Sequence, residues 1–423
     1  MPTHKYKKTL LESGATLVTE HHSTAQAFSV GVWVDVGSRY ETEKLSGITH
    51  FLEHIVFKGT KKRSAFDIAK SLEAVGGDLN AFTSKEHTCF HGLVLKDDWK
   101  IALDVLVDLV SNMKFSKKDF KNEKNVVIQE IAMSEDQPDD IIYDYLLEPV
   151  YKDHNVGKPI LGSIKSVFGF RESDIYDYYH DNYQGSNLVI ACAGNLDHDR
   201  IVDFLNRNLK KRKVKHGIPR MGTNRPVFTK SKTAKNKDSE QTHVLMALPA
   251  ASFRDDLRME AFIINSVLGG GMTSRLFQSV RETKGLAYSI QSQLHTMSDA
   301  GFITIQAACD GKKLKELVAT TEKELRKLKS QGLTKKEVEF FKSQIKGAIL
   351  LGSDDVENRM NSIAINELIF QKPKTVEDIQ RMISKISVDS VHEYLEHHME
   401  LDLLSGALVG PNVESKNSWW MNS

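Results

Sequence analysis

Two histidines four residues apart, with a glutamate directly before the second, occur at His50-Phe51-Leu52-Glu53-His54. On an α-helix four residues turn the chain by about 400°, so His50 and His54 lie about 40° apart, one turn up the same face. Two neutral imidazoles at that spacing can share one Zn²⁺. Glu53 projects along a neighbouring direction, where its carboxylate can touch a water on the metal. Such a set could activate water against an electrophilic carbon. Two ordinary histidines on a partly buried helix would leave the same trace, so a third ligand must decide.

The other histidines do not offer that geometry. His392 and His397 are five apart, about 140° round a helix. His87 and His91 share a strand face but stand roughly 13 Å apart. His21 and His22 point to opposite faces of a strand. All are expected to be non-ligands. Cys89, Cys192 and Cys309 are far apart and form no CxxC, which argues against a cysteine zinc site or a disulfide framework and fits a reducing compartment.

Positioning the histidine pair requires a framework, and hydrophobic periodicity supplies one. Strand patterns at 15–21 and 27–37 precede helical stretches near 47–57 and 66–75. A β-rich run follows at 79–95, then helices at 98–112, 117–135 and 138–150, a helix near 172–182, a strand at 187–194 and a helix at 198–209 that Asp197 can cap. The second half repeats the order. Strands near 227–234 and 241–249 lead to helices at 255–268 and 273–283, β-structure at 287–309, further helices to 399 and a strand at 403–410. The reading is α+β: two homologous domains, each a mostly antiparallel β-sheet packed with α-helices. Residues 1–212 and 227–423 form the domains, joined by a basic linker at 213–226. The tail with Trp419-Trp420 fits either a docked or a frayed end.

The chain has 423 residues, with 57 Lys+Arg against 56 Asp+Glu and a formal charge of +1. That balance gives no electrostatic case for a nucleic-acid or membrane-surface protein. The basic run at 210–226 contains no aromatic residue to stack bases. No apolar stretch approaches the roughly 18–20 residues of a membrane span. The N-terminus lacks an apolar signal core, so a cytoplasmic location is expected.

HFLEHIVFKGT at 50–60 contains H-x-x-E-H, an inverted zinc-peptidase motif. It resembles the inverzincins of the pitrilysin/insulinase superfamily, closest to the β-type mitochondrial processing peptidase branch and its bacterial homologues. GGDLNAFTSKEHTCF at 76–90, HNVGKPILGS at 154–163, YHDNYQGSNLVIACAGNL at 179–196 and LGGGMTSRLFQSVRETKGLAYSI at 268–290 extend the resemblance along most of the chain. It implies one Zn²⁺ per chain, held by His50, His54 and a glutamate 76 residues after His54, which is Glu130. Glu53 is the implied general base and Glu123 the supporting acid. Asn80 and Ala81 would offer main-chain hydrogen bonds to an extended peptide. Arg281 and Tyr288 would steady the reacting carbonyl, and Asp140 and Asp144 would favour a basic substrate residue. The implied activity is zinc-dependent endopeptidase action on extended or presequence-like peptides, by a homodimer or a heterodimer with a homologous subunit. The alternative within the superfamily is a non-catalytic scaffold or partner subunit.

Overall fold

Eleven strands among the described residues sort into two sheets, each in its own compact unit. The structure is a computed structural model that describes residues 5–211, 222–416 and 420. Residues 213–221 of the expected linker, and Trp419, lie outside the described residues.

The first unit comprises residues 1–132, 158–223 and 351–374. Its strands are β1 (Lys5–Leu10), β2 (Thr16–His21), β3 (Ala27–Val34), β4 (Asp78–Thr83), β5 (Thr88–Leu95) and β6 (Leu188–Gly194), in the order β1-β2-β6-β3-β5-β4. All neighbours are antiparallel except β2 and β6. The run LVIACAG of β6 is buried along its whole length, because the sheet is covered on both faces. One face carries helices α1 (Ile48–Ile55), α2 (Ala65–Glu73) and α3 (Trp99–Asn112), and Phe120, Val127 and Ile131 of α4 (Lys117–Asp136) join the same core. The other packs Val18, Trp33, Cys89, Val189 and Ala191 against the helix Val356–Phe370. Arg359 of that helix forks onto Glu20 of β2 at 2.8 and 2.7 Å, and both residues are buried.

The second unit comprises residues 133–157, 224–350 and 375–423. Its strands β7 (Lys232–Asn236), β8 (Thr242–Ala250), β9 (Ile290–Thr296), β10 (Gly301–Cys309) and β11 (Ser405–Gly410) run β7-β11-β8-β10-β9. This is the order β2-β6-β3-β5-β4 again, including a single parallel pair at the same place. The repeated element order is thus matched by repeated topology. Alternation on β8 divides the core. Val244, Met246 and Leu248 face the helices Arg258–Gly269, Leu314–Gln331 and Val388–His398. Leu245 and Ala247 face α5 (Pro138–Val150).

Both units are discontinuous in sequence, where periodicity alone draws contiguous domains. Each sheet needs apolar cover on both faces. In each case the second layer comes from the other half of the chain: Val356–Phe370 in the first unit and α5 in the second. Trp420 is buried and donates its indole N–H to Thr233 O at 3.1 Å, so that end of the tail is docked. No helix among the described residues is long and apolar enough to cross a membrane.

Candidate metal centre

Helix α1 is short, and burial of Ile48, Phe51, Leu52 and Ile55 fixes its rotation. Phe51 meets Phe120 of α4 and Phe170 edge-on, each at 5.6 Å between ring centroids. That packing turns His50 and His54 toward α4, where their rings lie 4.6 Å apart. Helix α4 buries Phe120, Glu123, Val127 and Ile131 along one stripe. Seven residues advance a helix by nearly two turns, so Glu123 and Glu130 occupy almost the same face.

Glu130 lies between the two rings. Its Oε1 is 3.5 Å from His50 Nε2 and its Oε2 is 3.4 Å from His54 Nε2. One ligand atom from each of the three residues lies within 4.8 Å of the others, the only such group of three or more among the described residues. Two ligands about 2.0–2.1 Å from a tetrahedral Zn²⁺ stand about 3.4 Å apart, so the carboxylate-to-imidazole spacings fit that ion. Two imidazoles and a carboxylate are also the donor set that zinc accepts, with a fourth position left for water or substrate.

Neighbouring contacts orient this set. His54 donates Nδ1–H to Glu123 Oε1 at 2.9 Å, which leaves the Nε2 lone pair directed to Glu130. Lys58, one turn beyond His54, donates to the other Glu123 oxygen at 2.7 Å. Burial pushes the Glu123 carboxyl up, but the His54 and Lys58 hydrogen bonds hold it below its ordinary value. Burial lowers the His54 pKa, and the Glu123 hydrogen bond with the charges of Glu130, Glu123 and Glu53 more than reverses that. Glu130 is held low chiefly by its interaction with His50. The cluster is therefore a field that favours a cation.

Glu53 points beside the pair and accepts a hydrogen bond from Thr83 Oγ at 2.5 Å. Thr83 ends β4, the edge strand of the first sheet, so the candidate base is tied to the strand expected to receive a peptide. On β4, Ala81 donates its N–H to Asn80 Oδ1 at 2.8 Å. That amide is therefore not in the β5 ladder. Because main-chain groups alternate sides along a strand, the open edge presents Ala81, while the main chain of Asn80 faces β5. Asn80 offers its side chain instead.

The remaining expected site residues belong to the second unit. Arg281 lies over the rings of Phe277 at 4.6 Å and Tyr288 at 5.2 Å, and Tyr288 is 82% exposed. On α5, Asp140 is exposed and Asp144 half-buried, while their neighbour Asp139 holds His243 at 2.7 Å. His87 and His91 have carboxylate neighbours, Asp35 and Glu357, at 3.4 and 3.3 Å, and neither joins a metal-holding group.

Lys58 and Thr83 of this neighbourhood are not among the residues expected from sequence. Lys58 alone carried a local signal, standing four residues after His54. Thr83 reaches the helix through a tertiary contact that no periodicity reports.

Comparison with known proteins agrees with this architecture. Residues 16–164 match the insulinase (peptidase family M16) domain, and residues 170–345 match the peptidase M16 inactive domain. An uncharacterized zinc protease of Mycobacterium tuberculosis is 37% identical over 414 residues, spanning 97% of this chain and 94% of that protein. The uncharacterized zinc protease YmxG of Bacillus subtilis is 37% identical over 406 residues, 96% of this chain and 98% of that one. Among solved structures, a protease from Helicobacter pylori superposes with a TM-score of 0.89 at 21% identity, covering 97% of this chain and 100% of that chain.

Proposed function

The chain belongs to the insulinase family of peptidases, family M16, and on that premise we propose that it is a zinc-dependent endopeptidase acting on extended peptides. The observation that carries the reading is the convergence of His50, His54 and Glu130. Zinc held by those three residues would polarise a scissile carbonyl and make water nucleophilic near neutral pH. Glu53 takes the proton of the attacking water and returns it to the leaving amine. Thr83 holds one Glu53 oxygen, which keeps the carboxylate aimed and leaves its second oxygen for the proton. Glu123 fixes the tautomer of His54. A peptide adds as a further strand to β4 and takes up the Ala81 amide that Asn80 now satisfies, which gives affinity with little sequence preference. Arg281 and Tyr288 are assigned, by family resemblance, to steadying the reacting carbonyl.

Metal analysis of the purified protein tests this reading. Wild type is expected to hold one zinc per chain and His50→Ala to hold none; a wild type without stoichiometric metal would end the proposal. Chelation is expected to lower stability by about 4 kcal/mol where free zinc had stood at 1,000 times its Kd, seen as a fall in Tm. The competing reading, a non-catalytic subunit, predicts bound zinc without hydrolysis of any member of a peptide library.

Asp140 and Asp144 are proposed to favour a basic residue in the substrate. Asp140→Asn/Asp144→Asn is expected to lower kcat/KM about tenfold for an Arg-containing peptide, equivalent to about 1.4 kcal/mol, and to spare its Arg→Ala counterpart. Equal losses on both peptides would remove the preference.

A further inference from the structure

The two imidazoles of the candidate centre are held differently. His54 is oriented through Nδ1 by Glu123. His50 is 6% exposed, and its Nδ1 is buried with no hydrogen-bond partner among the described residues. Apart from its fellow ligand Glu130 at Nε2, packing and the backbone of the first turn of α1 must therefore aim its ring. What fixes that turn becomes part of the metal chemistry.

Helix α1 starts without a capping side chain of its own. Its N-cap is Gly47, at φ +88°, a left-handed conformation that glycine adopts at little cost. A Cβ there would sit 2.5 Å from Leu161 O, and a Cβ on Gly162 would sit 2.5 Å from Ser46 O, so two glycines let the main chains touch. The cap comes instead from Glu41, six residues upstream of Gly47. Its Oε2 accepts Gly47 N–H at 2.7 Å and its Oε1 accepts Thr49 N–H at 2.9 Å. Two of the four amides left without intrahelical partners at this end thus go to one carboxylate that is 3% exposed. Burial pushes its carboxyl up to about 7, against the downward pull of the Thr49 and Gly47 amides. Placing a carboxylate in so dry a position is costly, and the positive end of α1 is a partner that offsets the cost. Thr49, between that clamp and His50, also pairs with Tyr178 through their hydroxyls at 3.1 Å.

We propose that Glu41 is a positioning residue of the metal centre, which sets the orientation of His50 by clamping the Gly47 and Thr49 amides of the ligand-bearing helix. The proposal rests on the zinc-binding reading above. Glu123 serves His54 through its ring, whereas Glu41 serves His50 through the backbone amides of Gly47 and Thr49 that precede it. A single short helix is thereby registered at both ends.

The test compares wild type with Glu41→Gln, which keeps shape but loses the charge and one acceptor. Zinc affinity is measured by chelator competition, and ligand geometry by the visible absorption of the Co²⁺-substituted protein. Glu41→Gln is expected to fold with wild-type circular dichroism, to bind zinc about 10–100-fold more weakly, and to shift the Co²⁺ bands. Glu41→Asp keeps the charge but retracts it by one methylene, and is expected to show the same changes in smaller degree. It is read on the same two measurements if Glu41→Gln does not fold. A folded variant with wild-type zinc affinity and Co²⁺ bands would overturn the proposal, however far its Tm falls. So would failure of both variants to fold, which would make Glu41 a folding residue only. A wild type that binds no zinc would instead sink the reading beneath it, before any variant is made.

Discussion

Glu53→Gln should purify with its zinc in place and hydrolyse peptides about 10²–10⁴-fold more slowly, the usual worth of a positioned general acid–base. The substitution isolates proton transfer. Glutamine has the same shape and can still accept the Thr83 hydroxyl through its amide oxygen, so the contact to β4 survives. It cannot take a proton at neutral pH. The loss should therefore fall on kcat, with KM nearly unchanged, because neither the metal ligands nor the strand edge is altered. Single-turnover kinetics alongside metal analysis would check both halves of the expectation. Turnover close to wild type with stoichiometric zinc would show that another group moves the proton.

How much of this centre was legible beforehand follows from the range over which each residue acts. His50 and His54 lie one turn apart, so their shared face can be computed from spacing alone. Glu130 stands 76 residues beyond His54 on another helix, and only family resemblance nominated it. Its placement depends on the contacts of Phe51 with Phe120 and Phe170, which no local pattern contains. Thr83 reaches Glu53 across 30 residues for the same reason, whereas Glu41 acts over six and eight residues through a side chain folded back on the helix, a contact with no periodic signature. Most strands and helices were legible because their apolar stripes have clean periods. Strand β1 was not, because KYKKTL puts lysines on an exposed edge, a common defence against unwanted strand pairing. The exchange of helices between the halves also left no trace. A buried helix advertises apolar faces without saying which sheet they cover.

Arg359→Ala is the substitution expected to expose that exchange. The Arg359 fork is buried on Glu20, which also accepts from His22 at 2.8 Å, and the group ties Val356–Phe370 to β2. Removing the guanidinium strands a carboxylate in a dry setting, a change that typically costs about 3–5 kcal/mol. Urea unfolding should reveal it as a lower midpoint. The pH dependence identifies the cause. Burial alone would raise the Glu20 pKa, but Arg359 and His22 bring it from 4.5 to about 2. A carboxylate depressed on folding contributes stability that is present above its unfolded value and lost as pH falls through the folded one. The unfolded chains titrate alike, so the gap between wild type and Arg359→Ala should be full well above the Glu20 pKa of the folded variant, which rises once the guanidinium is gone. It should shrink as pH falls through that value toward about 2, the folded wild-type value. An equal gap at pH 3 and pH 7 would assign the loss to packing. Replacing both partners by apolar residues, as in Glu20→Leu/Arg359→Met, should recover most of the stability, because the cost lies in the unpaired charge and not in the missing bond.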